Sequence, residues 1–398
     1  MAKIILFLIL AFKEQTRKYL AFNRSLLERE ARGIKEHVSA LRRHIYVLSK
    51  LFNVHDFFKN ENRIESYDNP LIFHIPYGLE NRDTGVEEAL LRFKGRVPIC
   101  ARSYDPHSPR KMSREYLARH HDLVLTYNEA LIDNDVFLFS PTVYDSFLVG
   151  TMDENTGREK FCCMILGNKY GESGPIKDGY EIFDHEDSNI RNIYPVRGEI
   201  ARFSEVDVYG RGWKPGMKNY RGRLQPFDHK YSVASRYRFS MVLENCAIKT
   251  QITEKILDCF LTLTVPVYLG APNIEEHIAK SCFVDVRDFK SYEKMIAYLK
   301  GMSEEEYRGY IDSIVQERAA IFERFSTPRN IAVPVYKWYN ERCGIVSVPT
   351  ESRIKQIADN LDSLRLMRNR GRARAAAVSC LTSMHRWFFR IKDRFTWH

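Results

Sequence analysis

No apolar run in this sequence has the length of a membrane-crossing helix. Ile4–Phe12 is unbroken but only nine residues long, where a spanning helix needs about 20. Lys13-Glu14-Gln15 follow it without an Ala-x-Ala cleavage pattern, so a cleaved export signal is not indicated. The run reads as the start of a membrane-touching or partner-packing helix, with a short uncleaved anchor as the alternative. Metal-finger and redox spacings are also missing: the eight cysteines include no Cys-x-x-Cys pair. Most sit in apolar stretches such as Phe161-Cys162-Cys163-Met164-Ile165, where a free thiol behaves as a small hydrophobe and a reducing, cytoplasmic setting is favoured. There is no P-loop, no Gly-x-Ser-x-Gly elbow and no His-x-x-x-His pair, which removes three large classes of hydrolase. Internal repeats and low-complexity segments are absent as well, so a solenoid is excluded.

What remains is an ordinary globular composition, 44% hydrophobic and 28% charged over 398 residues. That length suits two cores rather than one. The formal net charge of +10 is unevenly placed, because residues 353–398 hold eleven basic side chains against three acidic ones. The body is therefore near neutral, which argues against nucleic acid as its partner. In the tail, Arg365, Arg368, Arg372, Arg386, Arg390 and Arg394 recur at helical steps beside Trp387, Phe388, Ile391, Phe395 and Trp397. Basic residues next to interfacial aromatics predict a peripheral amphipathic helix on an anionic membrane surface.

Hydrophobic periodicity divides the rest. Leu26, Ile34, Val38, Leu41, Ile45 and Leu48 recur at three- and four-residue steps, predicting a helix over 18–52 suited to packing or homo-oligomer formation. From Leu71 onward, strands alternate with helices. Strands are expected at 71–75, 97–100, 123–126 and 161–166, then at 206–209, 239–243, 265–269 and 282–286. Helices are expected around 86–93, 115–119, 193–203, 253–263, 292–299 and 303–325. This order predicts two parallel α/β units facing a cleft. The expected organisation is a helical extension at 1–65, one Rossmann-like domain at 66–185, a second at 186–333, and a closing helix with the basic tail at 334–398.

The stretch from Glu244 to Pro272 carries the most chemistry. Glu244-Asn245 ends one strand, Thr253-Glu254-Lys255 opens a helix, and Val265-Pro266-Val267-Tyr268-Leu269-Gly270 forms the next strand. Ligands of open α/β sheets bind at the carboxyl ends of strands. Thr253 is a good N-cap, and amides at a helix start suit a phosphate. Lys255 offers a point charge to a diphosphate, and Glu254 can accept hydrogen bonds from vicinal ribose hydroxyls. Alone, Thr-Glu-Lys is an ordinary helix opening; its setting makes it specific. Asp133-Asn134-Asp135 is a literal Asp-x-Asp, the manganese–diphosphate pattern of metal-dependent transferases, though it lies among turn-forming residues. His120-His121 reads as polarity at a helix end.

Tyr237-Arg238-Phe239, Glu244-Asn245, Thr253-Glu254-Lys255-Ile256, Val265–Gly270 and Phe283–Phe289 resemble the donor-site signature of the family-ten α-1,3-fucosyltransferases. Tyr194-Pro195-Val196-Arg197 and Val208-Tyr209-Gly210-Arg211-Gly212-Trp213 are similar to its upstream segments. The resemblance implies a GT-B fold and inverting transfer of fucose from GDP-fucose to a glycan hydroxyl, with no obligatory metal or other cofactor. It implies that Arg197 and Lys255 bind the diphosphate, Glu254 the ribose, and Asn245 the phosphate–sugar region. The family's glutamate base falls in a segment that here reads Cys100-Ala101-Arg102-Ser103-Tyr104-Asp105-Pro106. Arg102 or Ser103 stands nearest that position, and Asp105 and Glu129 are the candidate catalytic carboxylates. Another nucleotide sugar, or sugar-nucleotide binding without catalysis, is the alternative.

Overall fold

The computed structural model describes residues 5–9, 52–75, 84–102, 114–141, 158–168, 191–224, 228–325 and 328–344. Two separate parallel sheets organise them. The first comprises β1 (Ile5–Ile9), β2 (Asn53–Asp56), β3 (Pro70–His74), β4 (Ile99–Arg102), β5 (Leu123–Thr126) and β6 (Phe137–Phe139), in the order β2-β1-β3-β4-β5-β6. Every neighbour in it is parallel. Helices α1 (Thr84–Phe93) and α2 (Arg114–His120) are its crossovers. Phe7, Ile72, Ile99, Leu90 and Phe93 share one core with Phe57.

Two expectations are corrected here. Ile5–Ile9 is not a helix start but an internal strand, hydrogen-bonded between β2 and β3, with Leu6, Phe7 and Leu8 fully buried. A short run apolar on every side looks the same in sequence whether it is a buried helix turn or a parallel strand covered on both faces. Residues 5–9 and 53–56 therefore belong to the first sheet rather than to a separate helical extension. The remainder of the helix expected over 18–52 lies outside the described residues, as does the tail from 345 onward.

The second correction moves the domain boundary. Strand β7 (Lys160–Ile165) was expected in the first unit, yet it pairs in parallel with β9 (Val206–Tyr209) and β10 (Tyr237–Leu243). The second sheet runs β13-β12-β10-β7-β9, with β12 at Val265–Leu269 and β13 at Val284–Asp285. Beside it β8 (Arg191–Asn192) and β11 (Cys246–Ala247) form a two-residue antiparallel ladder. The helices of this half are α3 (Tyr194–Ile200), α4 (Asp228–Ala234), α5 (Glu254–Thr262), α6 (Tyr292–Gly301) and α7 (Glu304–Arg324). One face of the sheet packs on α5 and α7 through Ile256, Phe260, Ile314 and Phe325, the other on α3 and α6 through Ile200, Met295 and Leu299.

The last described helix, α8 (Val333–Cys343), returns to the first half. Tyr336 stacks on Phe52 with ring centroids 4.9 Å apart, and the Tyr339 hydroxyl donates to the Pro70 carbonyl at 3.2 Å. Arg102, fully buried at the end of β4, donates to the carbonyls of Ser140 and Pro141, and the Ser140 hydroxyl donates to the Asn330 carbonyl at 2.6 Å. Thr250 donates its hydroxyl to the Tyr127 carbonyl. Two parallel α/β halves joined in this way form the GT-B architecture. Among the described residues no helix is long and apolar enough to cross a membrane.

Candidate functional site

Parallel pairing brings the carboxyl ends of β7, β10 and β12 to one edge of the second sheet. The loops leaving that edge are tightly folded. Gly210 and Gly212 adopt φ of 132° and 79°, and a Cβ at Gly212 would fall 2.0 Å from the Asn168 carbonyl oxygen. Only glycine allows the two backbones this close. The Trp213 indole closes the contact by donating to the Leu166 carbonyl at 2.7 Å.

Arg197 projects from α3 into this edge and is 2% exposed. Its guanidinium donates to Gly167 O at 3.1 Å, Leu243 O at 3.0 Å, Glu244 O at 3.1 Å and Asn245 Oδ1 at 2.8 Å, and it lies 4.3 Å from the centre of the Tyr194 ring. A planar fork of donors suits such a cluster of carbonyls. Arg197 thus joins the loop after β7 to the loop after β10 and sets a fixed cation behind both.

Lys255 and Glu254 open α5. Thr253 is the N-cap, as its position implied, and its hydroxyl accepts from the Lys255 amide. The amide of Thr253 itself, however, donates to Glu244 Oε1 at 2.9 Å. The first occupant of this helix start is therefore an internal carboxylate. Glu244 is fully buried and takes the Lys255 ammonium on Oε2 at 2.8 Å. Burial pulls the Lys255 pKa down, but Glu244 and then Glu254 outweigh it and hold it above the ordinary lysine value. Burial likewise pushes the Glu254 carboxyl up, and Lys255 and Lys230 reverse that to leave it below the usual range. Glu244 was missed as a site residue. The Glu-Asn pair at a strand end was its signal, but only Asn245 had been given a role.

Behind the α5 N-terminus lies a recess lined by Leu166 from the end of β7, Val242 from β10, Lys230 and Tyr231 from α4, and Lys255 and Asp258 from α5. Lys230 pairs with Asp258, which also accepts the Tyr231 hydroxyl at 3.2 Å. Arg197, Asn245, Glu254 and Lys255 are thus brought to one corner, with Lys230 close by.

The catalytic candidates are Asp105 and Glu129. Asp105 lies outside the described residues. Glu129 is exposed on the short turn Glu129–Leu131 after β5, and its charge acts on His277 of the other half, so it sits where the halves meet. Of the two residues expected nearest the base position, Arg102 is a buried carbonyl anchor and Ser103 lies outside the described residues. Asp133 of the Asp-x-Asp triplet accepts the amides of Asp135 and Phe137 at 2.9 and 2.8 Å and the Arg114 guanidinium at 2.6 Å. That geometry is a turn closing onto β6. Among the described residues no group of three metal-ligating side chains is assembled. His120 and His121 are not solvated helix-end polarity: both are buried, and His121 Nε2 lies 2.9 Å from His74 Nδ1. The helix end tucks under the sheet, which periodicity did not reveal.

Residues 186–327 match the family model for "Glycosyltransferase family 10 (fucosyltransferase) C-term". The chain is 29% identical over 140 residues to the α-(1,3)-fucosyltransferase FucT of Helicobacter pylori, covering 35% of this chain and 27% of that protein. It is 27% identical over 199 residues to the 4-galactosyl-N-acetylglucosaminide 3-α-L-fucosyltransferase 9 of Mus musculus, covering 49% of this chain and 45% of that one. It thus spans between about a quarter and under half of these relatives' length. Among solved structures, an α1,3-fucosyltransferase with GDP-fucose is similar at a TM-score of 0.46 and 15% identity, over 81% of this chain and 90% of the other. Residues 186–327, which carry the Arg197–Glu244–Lys255 corner, are thus similar to the C-terminal domain of glycosyltransferase family 10.

Proposed function

We propose that the chain transfers L-fucose from GDP-fucose to a glycan hydroxyl, with inversion at the anomeric carbon and without an obligatory metal. The observation that carries this reading is the family-ten domain itself, with a protonated lysine at a helix start on the carboxyl edge of a parallel sheet. Lys255 meets the diphosphate directly, and Arg197 adds fixed charge while holding the loops on either side. Asn245, oriented by Arg197, faces the phosphate–sugar region, and Glu254 takes the ribose hydroxyls. Cations placed in advance stabilise the leaving GDP, on which negative charge develops during transfer. Asp105 or Glu129 removes the acceptor proton. Asp133 is already committed to two amides and Arg114, which favours a diphosphate neutralised by side chains over one bridged by manganese.

A panel of labelled GDP- and UDP-sugars, offered with one mixture of glycan acceptors, tests the reading. Fucose transfer from GDP-fucose above all other donors is expected. A UDP-sugar preferred, or GDP-fucose bound and never turned over, would replace it with another transferase or with a binding protein.

A further inference from the structure

Glu244 is shielded from solvent, yet both of its oxygens are engaged. Oε1 accepts from the Thr253 amide and hydroxyl at 2.9 Å each, and Oε2 lies 2.8 Å from Lys255 Nζ and 2.7 Å from the same hydroxyl. A hydroxyl has one proton, so Thr253 donates to one of these oxygens and accepts from the ammonium at 2.9 Å. Gly270 closes the space behind: a Cβ there would fall 2.6 Å from Glu244 Cγ. A carboxylate this deeply buried is costly unless paired and hydrogen-bonded, and among the described residues the side-chain oxygens of this one address only the start of α5. The geometry points to Glu244 as a positioning residue that holds the Lys255 ammonium charged and oriented at the donor-binding edge before any diphosphate arrives. This inference rests on the donor reading above.

The physical need is specific. The Lys255 side chain is 14% exposed, and a lysine so placed tends to give up its proton. Arg197 on α3 repels it further, while Glu244, just past the end of β10, and Glu254 on α5 counter that loss. An ammonium has three donors. Among the described residues two of them address Glu244 and Thr253, which leaves one for a phosphate oxygen. The carboxylate does not compete for the ligand, because it has no surface toward it. It acts only through Lys255 and the helix start.

The test uses Glu244→Gln, which keeps size and removes charge. In nucleotide-free protein, competitive acetylation followed by mass spectrometry reads the pH midpoint of each lysine. The Lys255 midpoint should lie above that of exposed Lys249 in the wild type and fall by at least about one pH unit, a tenfold change in proton affinity, in Glu244→Gln. Glu244→Asp should restore most of the difference. GDP titrated by calorimetry one pH unit below the wild-type Lys255 midpoint, in buffers of different ionisation enthalpy, should then show more proton uptake in Glu244→Gln than in the wild type. Equal Lys255 midpoints in folded wild-type and variant proteins would overturn the inference. Should the variant not fold, a wild-type Lys255 midpoint at or below that of Lys249 overturns it equally. Failure of the wild type to bind GDP would sink the donor reading instead, while the labelling midpoints still decide the role of Glu244.

Discussion

Lys255 and Arg197 are both cations, but the structure gives them different work. Lys255 is held by Glu244 and Thr253 with a donor to spare, whereas Arg197 addresses three main-chain carbonyls and Asn245. Lys255→Ala should therefore remove a direct charged hydrogen bond and weaken GDP binding by about 1.5–3 kcal/mol, and it should lower the melting temperature as well, because it leaves the buried Glu244 carboxylate without its cation. Arg197→Ala should lower the melting temperature as well as GDP affinity, because it strands buried carbonyls. Calorimetry and thermal melts on the Arg197 variant check this; a melting temperature equal to that of the wild type would place Arg197 in ligand contact alone. The proton acceptor is decided the same way. Asp105→Asn should lower turnover by about 10²–10⁴-fold with GDP affinity intact, and full activity in that variant would move the role to Glu129.

At the scale of elements, most of the second half was legible. The strands Val206–Tyr209 and Val265–Leu269 and the helix Glu254–Thr262 lie where pattern and capping placed them. Thr253 announces the helix start chemically, and buried parallel strands announce themselves as short apolar runs. The same signal could not say which sheet a strand joins, so β7 and β1 were misplaced. The helix end at His120-His121 failed for a related reason, since a histidine pair can be solvated or buried with no change in pattern. Its burial has a consequence for pH. Burial, then the neighbouring His74, hold the His121 pKa well below its usual value despite the Leu117 carbonyl; His120 and Lys94 act in the same sense. The folded state therefore prefers neutral His121, while the unfolded chain takes up a proton near pH 6.5. Stability should be insensitive to this group above that value and fall by up to about 1.4 kcal/mol per pH unit below it. Denaturant titrations between pH 5 and pH 8 on the wild type and His121→Asn check this: the variant should lose that acid limb, and an unchanged slope would remove the assignment.

At the scale of the molecule, the two halves are tied by polar contacts that include Thr250 to Tyr127 and Ser140 to Asn330, with α8 packed back on the first half. Glu129 lies two residues from Tyr127, whose carbonyl takes the Thr250 hydroxyl of the other half. Transfer should survive chelation, because the donor corner relies on Lys255 and Arg197; complete loss in EDTA, restored by manganese, would return the role to Asp133-Asn134-Asp135. The basic tail, outside the described residues, is expected to act independently of this chemistry. Truncation after Ser352 should leave transfer to a small acceptor nearly unchanged and release the protein from anionic vesicles. Equal vesicle binding by both forms at low and moderate salt would end the membrane proposal.

The sequence by itself determined the two parallel α/β units and singled out Arg197, Asn245, Glu254 and Lys255, which the structure gathers at one carboxyl edge. These depend on apolar periodicity, capping and short-range motifs, all local in the chain. Only the tertiary structure decided that Ile5–Ile9 is a central strand, that β7 belongs to the second sheet, and that Arg197 is a carbonyl clamp. It alone placed Glu244 under Lys255, eleven residues on, and against Gly270, on the neighbouring strand's loop. Pairing partners and burial are set by contacts between distant segments, and no local pattern encodes which buried run meets which.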